Sequence, residues 1–174
     1  MEKYWIDLEH AAMRYHAQKF HPTFKPDGNV AAGSAGFDGA QFLTASGAIP
    51  NLSGGRLTLS AWIYPQIRGG GDPRDGWYQG ILGYHSQRAD ATAYPTLERY
   101  GLKLRFGFST GTAWKGFTTG SNVLAANAWN HVVATYSQDD GYARIFVNGA
   151  EKGNSNVGKY AAIASPASFD VVVT

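Results

Sequence analysis

Cysteine is absent from this chain of 174 residues. Without thiols the protein can form neither disulfides nor metal–thiolate sites, and catalysis by a thiol is excluded. A domain of this size can bury enough apolar surface to fold without such cross-links. The absence of cysteine therefore does not indicate whether the protein resides in an oxidising or a reducing compartment.

Charge is sparse in this sequence, and neither sign is concentrated in one region. Charged residues make up 16% of the chain, the formal net charge is +2, and the basic residues are scattered. The one local cluster, from Arg99 to Arg105, alternates with apolar residues, which is typical of the solvent-facing side of a strand. A nucleic-acid-binding protein would carry a basic patch or stripe, so we expect no nucleic-acid partner.

Long apolar runs are absent as well. No stretch approaches the roughly 20 apolar residues that a membrane-spanning helix requires, so membrane insertion is not expected. The N-terminus, from Met1 to Trp5, lacks the basic start and apolar run of a signal peptide. We therefore expect an export signal outside this sequence, or delivery by assembly as for virion proteins, to an extracellular, cell or virion surface.

Glycine and aromatic residues are abundant. The chain has 22 glycines, and 14% of its residues are aromatic. Glycines mark turns between short strands, and aromatic residues are enriched in strands. Because 174 residues are too few for two cores of ordinary size, we predict one all-β domain over residues 1–174.

Alternation of apolar and polar residues predicts several strands. Residues 57–64 alternate in this way up to Pro65, and residues 102–108 repeat the pattern. Residues 131–147 predict a hairpin, and Asn148-Gly149 predicts a type I′ turn after it. The apolar positions that we expect on the core faces are Leu57, Leu59, Ala61, Ile63, Leu102, Leu104, Phe106, Phe108, Val132, Ala134, Tyr136, Ala143, Ile145 and Val147.

The remaining segments are less regular. Residues 3–8 predict a first strand, and a further strand is expected after Phe42. Residues 9–20 are good helix formers with a common face at every fourth position, which predicts a short helix. Long connections are expected at Gln66–Trp77 and Ser86–Arg99, and connections of this length often carry function.

Four motifs occur in an order and spacing that are known from one family. They are Phe37-Asp38-Gly39, Leu57–Pro65, Trp129–Tyr136 and Ile145–Gly149. Through them the sequence resembles the laminin-G-like domains of the concanavalin A-like lectin/glucanase superfamily, from about Ala35 to Gly149. The resemblance implies a two-sheet antiparallel jelly-roll sandwich that binds sugars or protein partners. It implies no particular ligand, because this fold carries many functions.

The sequence departs from this family at its C-terminus. Laminin-G-like domains end with a strand that closes a sheet beside the first strand, and this sequence stops near the point where that strand would begin. We expect a domain without its closing strand, in which residues 3–8 lie at an exposed edge or pair with another chain or with Val171–Val173. An open apolar edge promotes association, so we expect self-association or a neighbouring chain.

The resemblance is compatible with calcium binding, and we expect that the protein requires no cofactor. Many relatives carry an Asn/Asp/Gly-rich calcium loop where residues 9–27 of this sequence have histidine and proline. The candidate calcium ligands are Asp7, Asp27 and Asp38, because calcium prefers oxygen ligands and Asp38 lies in the Phe-Asp-Gly motif. Alternatively, Asp38-Gly39 forms a turn whose carboxylate accepts hydrogen bonds from backbone N–H groups.

Catalysis is not expected, and we assign no catalytic residue. Glucanases of the superfamily place paired carboxylates at alternate positions of one strand, and no Glu-x-Asp-x-Glu run occurs here. Asp139 and Asp140 are adjacent, so on a strand they would point to opposite faces. No His-Glu-x-x-His or Gly-x-Ser-x-Gly motif is present. His131 stands where relatives have a structural histidine, which implies a residue bonded within the sandwich.

Sugar binding requires aromatic faces that stack on the C–H face of a pyranose, and polar side chains for its hydroxyl groups. The candidates on predicted loops and strand faces are Trp62, Trp77, Tyr78, Tyr84, His85, Asp90, Tyr94, Arg99, Trp114 and Asn122. Trp62 points away from the apolar face of its strand, where it could line a concave sheet. Trp77 and Trp114 have glycine-rich neighbours that favour exposure. The alternative for each aromatic residue is that it caps an end of the core.

Two functions from different classes are consistent with these features. The first is a non-catalytic recognition module that binds carbohydrate through a concave face or end loops. The second is a structural or adhesion protein, such as a virion decoration or tail component, that packs against protein neighbours. A glycan-active enzyme is a weaker third. The expected partners are accordingly a glycan or a surface protein.

Overall fold

A computed structural model describes ten segments of the chain. The described segments are residues 2–5, 14–17, 23–25, 34–37, 43–47, 55–70, 73–76, 78–83, 95–161 and 169–173. Side chains are described for residues 55–70, 75–76, 78–83 and 95–161.

The described segments consist of strands, turns and one 3-10 turn at Pro73–Gly76. The strands are β1 (Glu2–Trp5), β2 (Arg14–Ala17), β3 (Thr23–Lys25), β4 (Ser34–Phe37), β5 (Leu43–Gly47), β6 (Arg56–Tyr64), β7 (Tyr78–Gly83), β8 (Thr96–Tyr100), β9 (Lys103–Ser109), β10 (Trp114–Thr118), β11 (Asn130–Ser137), β12 (Tyr142–Val147), β13 (Ala150–Asn156) and β14 (Phe169–Val173). No helix in the described part of the chain is long and apolar enough to span a membrane.

The strands form antiparallel sheets. The largest has seven strands in the order β13-β12-β11-β6-β1-β4-β3, and a second has four in the order β10-β9-β8-β7. Three further strands pair in the order β14-β5-β2, and β14 lies next to β7 at the edge of the four-stranded sheet. The fold is therefore an all-β sandwich of antiparallel sheets, as predicted.

The core lies between the seven-stranded and the four-stranded sheet. Along β11 every second residue from Asn130 to Tyr136 is buried, and β12 alternates in the same way. Leu104, Ala134 and Ile145 are fully buried. The apolar face predicted for β6 is confirmed, with Ala61 and Ile63 buried and Trp62 on the opposite face. Strands β6, β11 and β12 thus each contribute one face to the core, which is what period-two patterning requires.

The hairpin of β12 and β13 has the predicted turn. Asn148 and Gly149 both have positive φ angles, 51° and 80°, as a type I′ turn demands. The side chain of Asn148 also joins the turn to β11, since its Oδ1 accepts a hydrogen bond from the N–H of His131 at 2.9 Å. In return the Asn148 N–H donates to the His131 carbonyl at 2.8 Å. The motif therefore fixes three neighbouring strands in register.

The predicted helix over residues 9–20 is wrong at its centre. Residues Arg14–Ala17 form strand β2, which pairs with β5 from Arg14 opposite Ser46 to Ala17 opposite Leu43. Backbone pairing with a strand nearly thirty residues away replaces the local preference for helix, because tertiary context overrides propensity.

The predicted edge position of the first strand is also wrong. Strand β1 is confirmed over Lys3–Trp5, but it lies inside the seven-stranded sheet, paired with β4 on one side and β6 on the other. The C-terminal strand is not its neighbour, because Val171–Val173 pair with β5. The described backbone of β1 therefore presents no open edge to another chain.

The predicted connection Ser86–Arg99 is too long at its C-terminal end. Residues from Thr96 onward belong to β8, and Arg99 is 1% exposed because it faces the core beside Leu104. Its Nη1 donates a hydrogen bond to the Gly101 carbonyl at 3.0 Å. Burial lowers the pKa of Arg99 to about 10, so the side chain remains charged at neutral pH. Arg99 is thus a core residue of a strand, not a loop residue on the solvent-facing side.

Candidate functional site

The outer face of the four-stranded sheet carries the candidate site. Since Leu97, Leu104 and Phe106 face the core, the alternate positions of β7–β10 point to the other side. We call the residues that meet there the outer-face cluster: Tyr78 on β7, Glu98 and Tyr100 on β8, Arg105 on β9 and Trp114 on β10. Four adjacent strands thus contribute to one surface.

Arg105 is the centre of the outer-face cluster. Its guanidinium carbon lies over the ring of Tyr78 at 4.9 Å and over the ring of Trp114 at 4.5 Å. Its Nη1 donates a hydrogen bond at 3.3 Å to the carboxylate of Glu98, which lies directly opposite on β8. The side chains of Arg105 and Glu98 are only 14% and 11% exposed. Each such cation–π contact stabilises by about 0.5–2 kcal/mol, rising as the cation loses water.

Trp114 reaches Arg105 because two glycines leave room for its ring. A Cβ atom on Gly107 would lie 2.2 Å from Cζ2 of Trp114, and one on Gly116 would lie 2.6 Å from the same atom. Gly107 and Gly116 are opposite each other on β9 and β10. The indole therefore lies directly against a patch of bare backbone, which orients it beside the guanidinium.

Tyr78 and Tyr100 form the exposed part of the outer-face cluster. They are directly opposite each other on β7 and β8, with ring centroids 4.9 Å apart and planes inclined at 35°. Tyr78 is 50% exposed and Tyr100 40% exposed, and within the described residues no other large hydrophobic side chain is classed as exposed. Two aromatic rings in mutual contact thus face solvent side by side.

A second aromatic group lies on the outer face of the other sheet. Trp62 stacks on His131 with ring centroids 5.1 Å apart, and Nε2 of His131 lies 2.9 Å from the hydroxyl of Ser60. Tyr64 meets Trp129 edge-on at 5.7 Å. His131 is thus a bonded residue, as expected, although it lies outside the core and not within it. Because Trp62 and Trp114 belong to different sheets, they do not form one site.

The other predicted site residues divide into two groups. Asn122 is exposed in the connection between β10 and β11, and Arg99 is buried, so the structure does not bring either into the outer-face cluster. The candidates that fall outside the described residues are Trp77, Tyr84, His85, Asp90 and Tyr94, together with the calcium candidates Asp7, Asp27 and Asp38. Of the ten sugar-binding candidates, the cluster unites Tyr78 and Trp114.

Sequence reasoning missed the residues that join these two. Tyr100, Arg105 and Glu98 were not predicted as site residues, although alternation in β9 placed Arg105 on the solvent-facing side. The signal that could have identified them is the basic and aromatic content of alternate positions in two consecutive strands. Only the order of the strands in the sheet shows which neighbouring strands supply the aromatic rings.

The adjacent acidic pair lies far from this cluster along the chain. Asp139 and Asp140 occupy the turn between β11 and β12, where Asp139 accepts a hydrogen bond from Arg56 at 2.6 Å and Asp140 accepts one from Arg144. The hydrogen bond from Arg56 lowers the pKa of Asp139 below its ordinary value, and that from Arg144 does the same for Asp140. Both are therefore held ionised, whereas a general acid requires a raised pKa.

No group of three or more histidine and acidic side chains suited to a metal occurs in the described part of the chain. Asp7 and Glu9, two acidic residues at alternate positions in the sequence, lie outside the described residues.

Comparison with known families identifies the class of protein. Residues 36–171 match a laminin-G family model that is described as the concanavalin A-like lectin/glucanases superfamily. The match covers most of the chain, and the chain therefore belongs to this family. A search of curated protein sequences finds no match.

Solved structures with the same fold include binding domains of clostridial toxins. The binding domain of Paraclostridial Mosquitocidal Protein 1 has a TM-score of 0.66 at 12% identity and covers 97% of this chain. The binding domain of botulinum neurotoxin DC, solved with rat synaptotagmin II, has a TM-score of 0.59 at 11% identity and covers 93%. A structure of botulinum neurotoxin type C, whose cell entry is reported to depend on interaction with two ganglioside molecules, has a TM-score of 0.55 at 10% identity and covers 93%.

This chain spans 41%, 38% and 39% of those three structures. At such low identity the likeness shows the fold alone, and the residues of the outer-face cluster must be judged on their own chemistry.

Proposed function

We propose that the protein is a non-catalytic recognition module that binds carbohydrate through the outer-face cluster. The observation that carries this proposal is the pair of exposed rings, Tyr78 and Tyr100, held side by side on a sheet face. Exposed aromatic surface is costly to hydrate, and a rigid ring offers contact area without a large loss of side-chain entropy. The C–H face of a pyranose fits such a surface.

The polar groups of the cluster suit hydrogen bonding to the hydroxyl groups of a sugar. Arg105 is a donor with five N–H groups, so its hydrogen bond to Glu98 leaves further donors for hydroxyl groups at the edge of the rings. Both are held by neighbours before any ligand arrives, which reduces the entropy lost on binding. The surface therefore combines an apolar face with fixed polar groups, the usual composition of a ligand site.

The proposal excludes hydrolysis at this surface. Glycoside hydrolysis requires two carboxyl groups across the scissile bond, one of them protonated. Within the described strands of the four-stranded sheet, Glu98 is the single carboxylate of the outer face, and Arg105 is its ion-pair partner.

The toxin structures are consistent with this proposal. One of them is a binding domain in complex with rat synaptotagmin II, and another is reported to depend on gangliosides for cell entry. A surface or extracellular location suits a module that recognises glycans, and we propose that location for this chain.

Binding of the purified protein to a glycan array, with and without a calcium chelator, tests the proposal. We expect binding to a defined set of glycans that is lost in Tyr100→Ala and in Trp114→Ala. Trp62→Ala is the matched control, because it removes an aromatic ring from the other sheet. Incubation with β-glucans, alginates and sialosides should release no new reducing ends and no unsaturated products. Equal binding by Tyr100→Ala, Trp114→Ala and the wild type would refute the assignment of the site.

A protein partner is the second candidate, and the same cluster supports it. Tyrosine, tryptophan and arginine are the residue types enriched at the energetic centres of protein interfaces. A structural or adhesion role would use Tyr78 and Tyr100 as anchors against a neighbouring protein. Failure to bind any glycan, together with a loss of partner binding in Tyr100→Ala, would favour this candidate over carbohydrate.

A further inference from the structure

Tyr78 and Tyr100 are two phenol rings that the sheet holds in contact. They are directly opposite each other on β7 and β8, and the two strands pair from this point as far as Gly83 opposite Thr96. The ring centroids are 4.9 Å apart and the ring planes are inclined at 35°. Because backbone pairing holds both residues, the rings cannot separate widely unless the strand pair opens. The fold therefore keeps the two phenols at a high effective concentration, as any scaffold that holds two reactants together does.

The same two rings are accessible to reagents in solution. Both are exposed, whereas the other tyrosine side chains that the structure describes are buried or half-buried. Of the ring contacts between described residues, theirs is the one that joins two tyrosines. Exposed side chains also change rotamer within nanoseconds, which lets the rings turn their edges toward each other. Proximity and accessibility therefore coincide at this pair.

One-electron oxidation is a reaction that two adjacent, exposed phenols favour. A phenol that loses one electron and its hydroxyl proton becomes a phenoxyl radical, whose unpaired electron is shared between the oxygen and ring carbons that include those next to the hydroxyl-bearing carbon. Thiols are readily oxidised side chains that quench such radicals, and this chain contains no cysteine. No thiol of this chain therefore competes with the second ring for a radical that forms on the first.

We propose that Tyr78 and Tyr100 are a site of oxidative cross-linking, at which a haem peroxidase and hydrogen peroxide join the two rings as dityrosine. Each phenol gives up one electron and one proton, and these two electrons and two protons reduce the peroxide to two molecules of water. The two radicals combine through a carbon–carbon bond between one Cε atom of each ring. Each of these carbons then loses its proton to solvent and each phenolic oxygen takes one up, so both rings regain their aromaticity and their hydroxyl groups. This modification is independent of the proposed function.

The cross-link joins β7 to β8 and closes the chain between residues 78 and 100. A covalent closure of this kind restricts the unfolded chain, so it stabilises the folded state in the way that a disulfide does in a chain with cysteine. We therefore expect the cross-linked protein to unfold at a higher urea concentration than the unmodified protein.

Treatment of dilute, folded protein with a haem peroxidase and hydrogen peroxide tests the proposal. We expect monomers that show dityrosine fluorescence and in which peptide mapping finds the Tyr78 peptide joined to the Tyr100 peptide, with the loss of two hydrogen atoms. Tyr78→Phe and Tyr100→Phe each keep the ring and remove the hydroxyl, so each should reduce this product to background.

Tyr142→Phe is the matched control, because it removes a half-buried phenol from β12 in the other sheet and should cross-link as the wild type does. Absence of the monomeric product from the wild type, or cross-linked dimers alone, would overturn the proposal. Monomeric dityrosine that persists at the wild-type yield in Tyr78→Phe or Tyr100→Phe would overturn it as well. None of these results bears on glycan binding, which is measured separately on the array.

Discussion

The indole of Trp114 lies against the backbone of Gly107, so close that a Cβ atom there would be 2.2 Å from Cζ2 of the ring. No side chain fits between the two, because real Cβ atoms do not approach neighbours at that distance. The position of the ring over β9, and therefore its contact with Arg105, depends on a residue without a side chain.

Substitution Gly107→Ala should displace the ring of Trp114 and weaken glycan binding. The methyl group also meets the Lys115 carbonyl oxygen, at 2.8 Å, so we expect a loss of stability of about 1–3 kcal/mol from overpacking. Near-ultraviolet circular dichroism of the tryptophans and urea unfolding measure the two effects. Gly120→Ala is the matched control, since a Cβ there meets nothing within 4 Å. An unchanged aromatic spectrum in Gly107→Ala would show that the ring does not depend on this glycine.

Truncation of Leu104 should be strongly destabilising. Leu104 is fully buried between the sheets, so Leu104→Ala removes apolar contacts and leaves a cavity that costs about 2–5 kcal/mol. Equilibrium unfolding in urea measures this loss. Leu102→Ala, at a partly buried position next to the same strand, should cost less. A loss from Leu104→Ala no larger than that from Leu102→Ala would contradict the full burial of Leu104 between the sheets.

The hydroxyl of Tyr136 should stabilise the backbone conformation of the segment after β13. It donates a hydrogen bond to the Gly158 carbonyl at 3.0 Å and accepts one from the N–H of Tyr160 at 2.7 Å. Tyr136→Phe leaves these backbone groups without their partner, which we expect to cost about 1–3 kcal/mol. Hydrogen exchange at Tyr160 should be faster in this variant. Tyr142→Phe is the control, because no hydrogen bond of its hydroxyl occurs in the described structure, and a similar loss there would argue against a specific role of Tyr136.

Alkaline pH should destabilise the fold through Tyr136. Burial raises the pKa of this phenol above its ordinary value of 10.0. The folded state therefore holds its proton at a pH at which the unfolded state has lost it, and stability falls as pH rises from the ordinary pKa through the raised one. Urea unfolding of wild type and Tyr136→Phe from neutral to alkaline pH measures the difference. A steeper loss in the variant than in the wild type would contradict this assignment.

The local features of the fold can be predicted from the sequence. Alternation in β6, β9, β11 and β12 predicts strands and their buried faces, because period two puts apolar side chains on one side of each strand. Asn148-Gly149 predicts its turn because both residues tolerate a positive φ angle, which a type I′ turn needs. These features depend on neighbours in the chain, and the structure has them where they were predicted.

The failures concern pairing or burial that depends on distant segments of the chain. Residues 14–17 favour a helix locally and become a strand because β5 supplies a backbone partner. Strand β1 was expected at an edge because the family's closing strand is absent from the sequence, whereas β4 and β6 pair with it on its two sides. Arg99 was assigned to a loop because a charged residue gives no sign that it will lie in the core.

The candidate site shows the same division. Composition and alternation select Tyr78 and Trp114 as exposed aromatic residues, and they place Arg105 on the solvent-facing side of β9. That these residues meet depends on the order β10-β9-β8-β7, which puts Arg105 between the two rings and Glu98 opposite it. The sequence by itself determined strands β6, β9, β11 and β12 and their buried faces, because those follow from the alternation of near neighbours. Tertiary structure alone decided which faces share a sheet, because strand order depends on pairing between segments that are far apart in the chain.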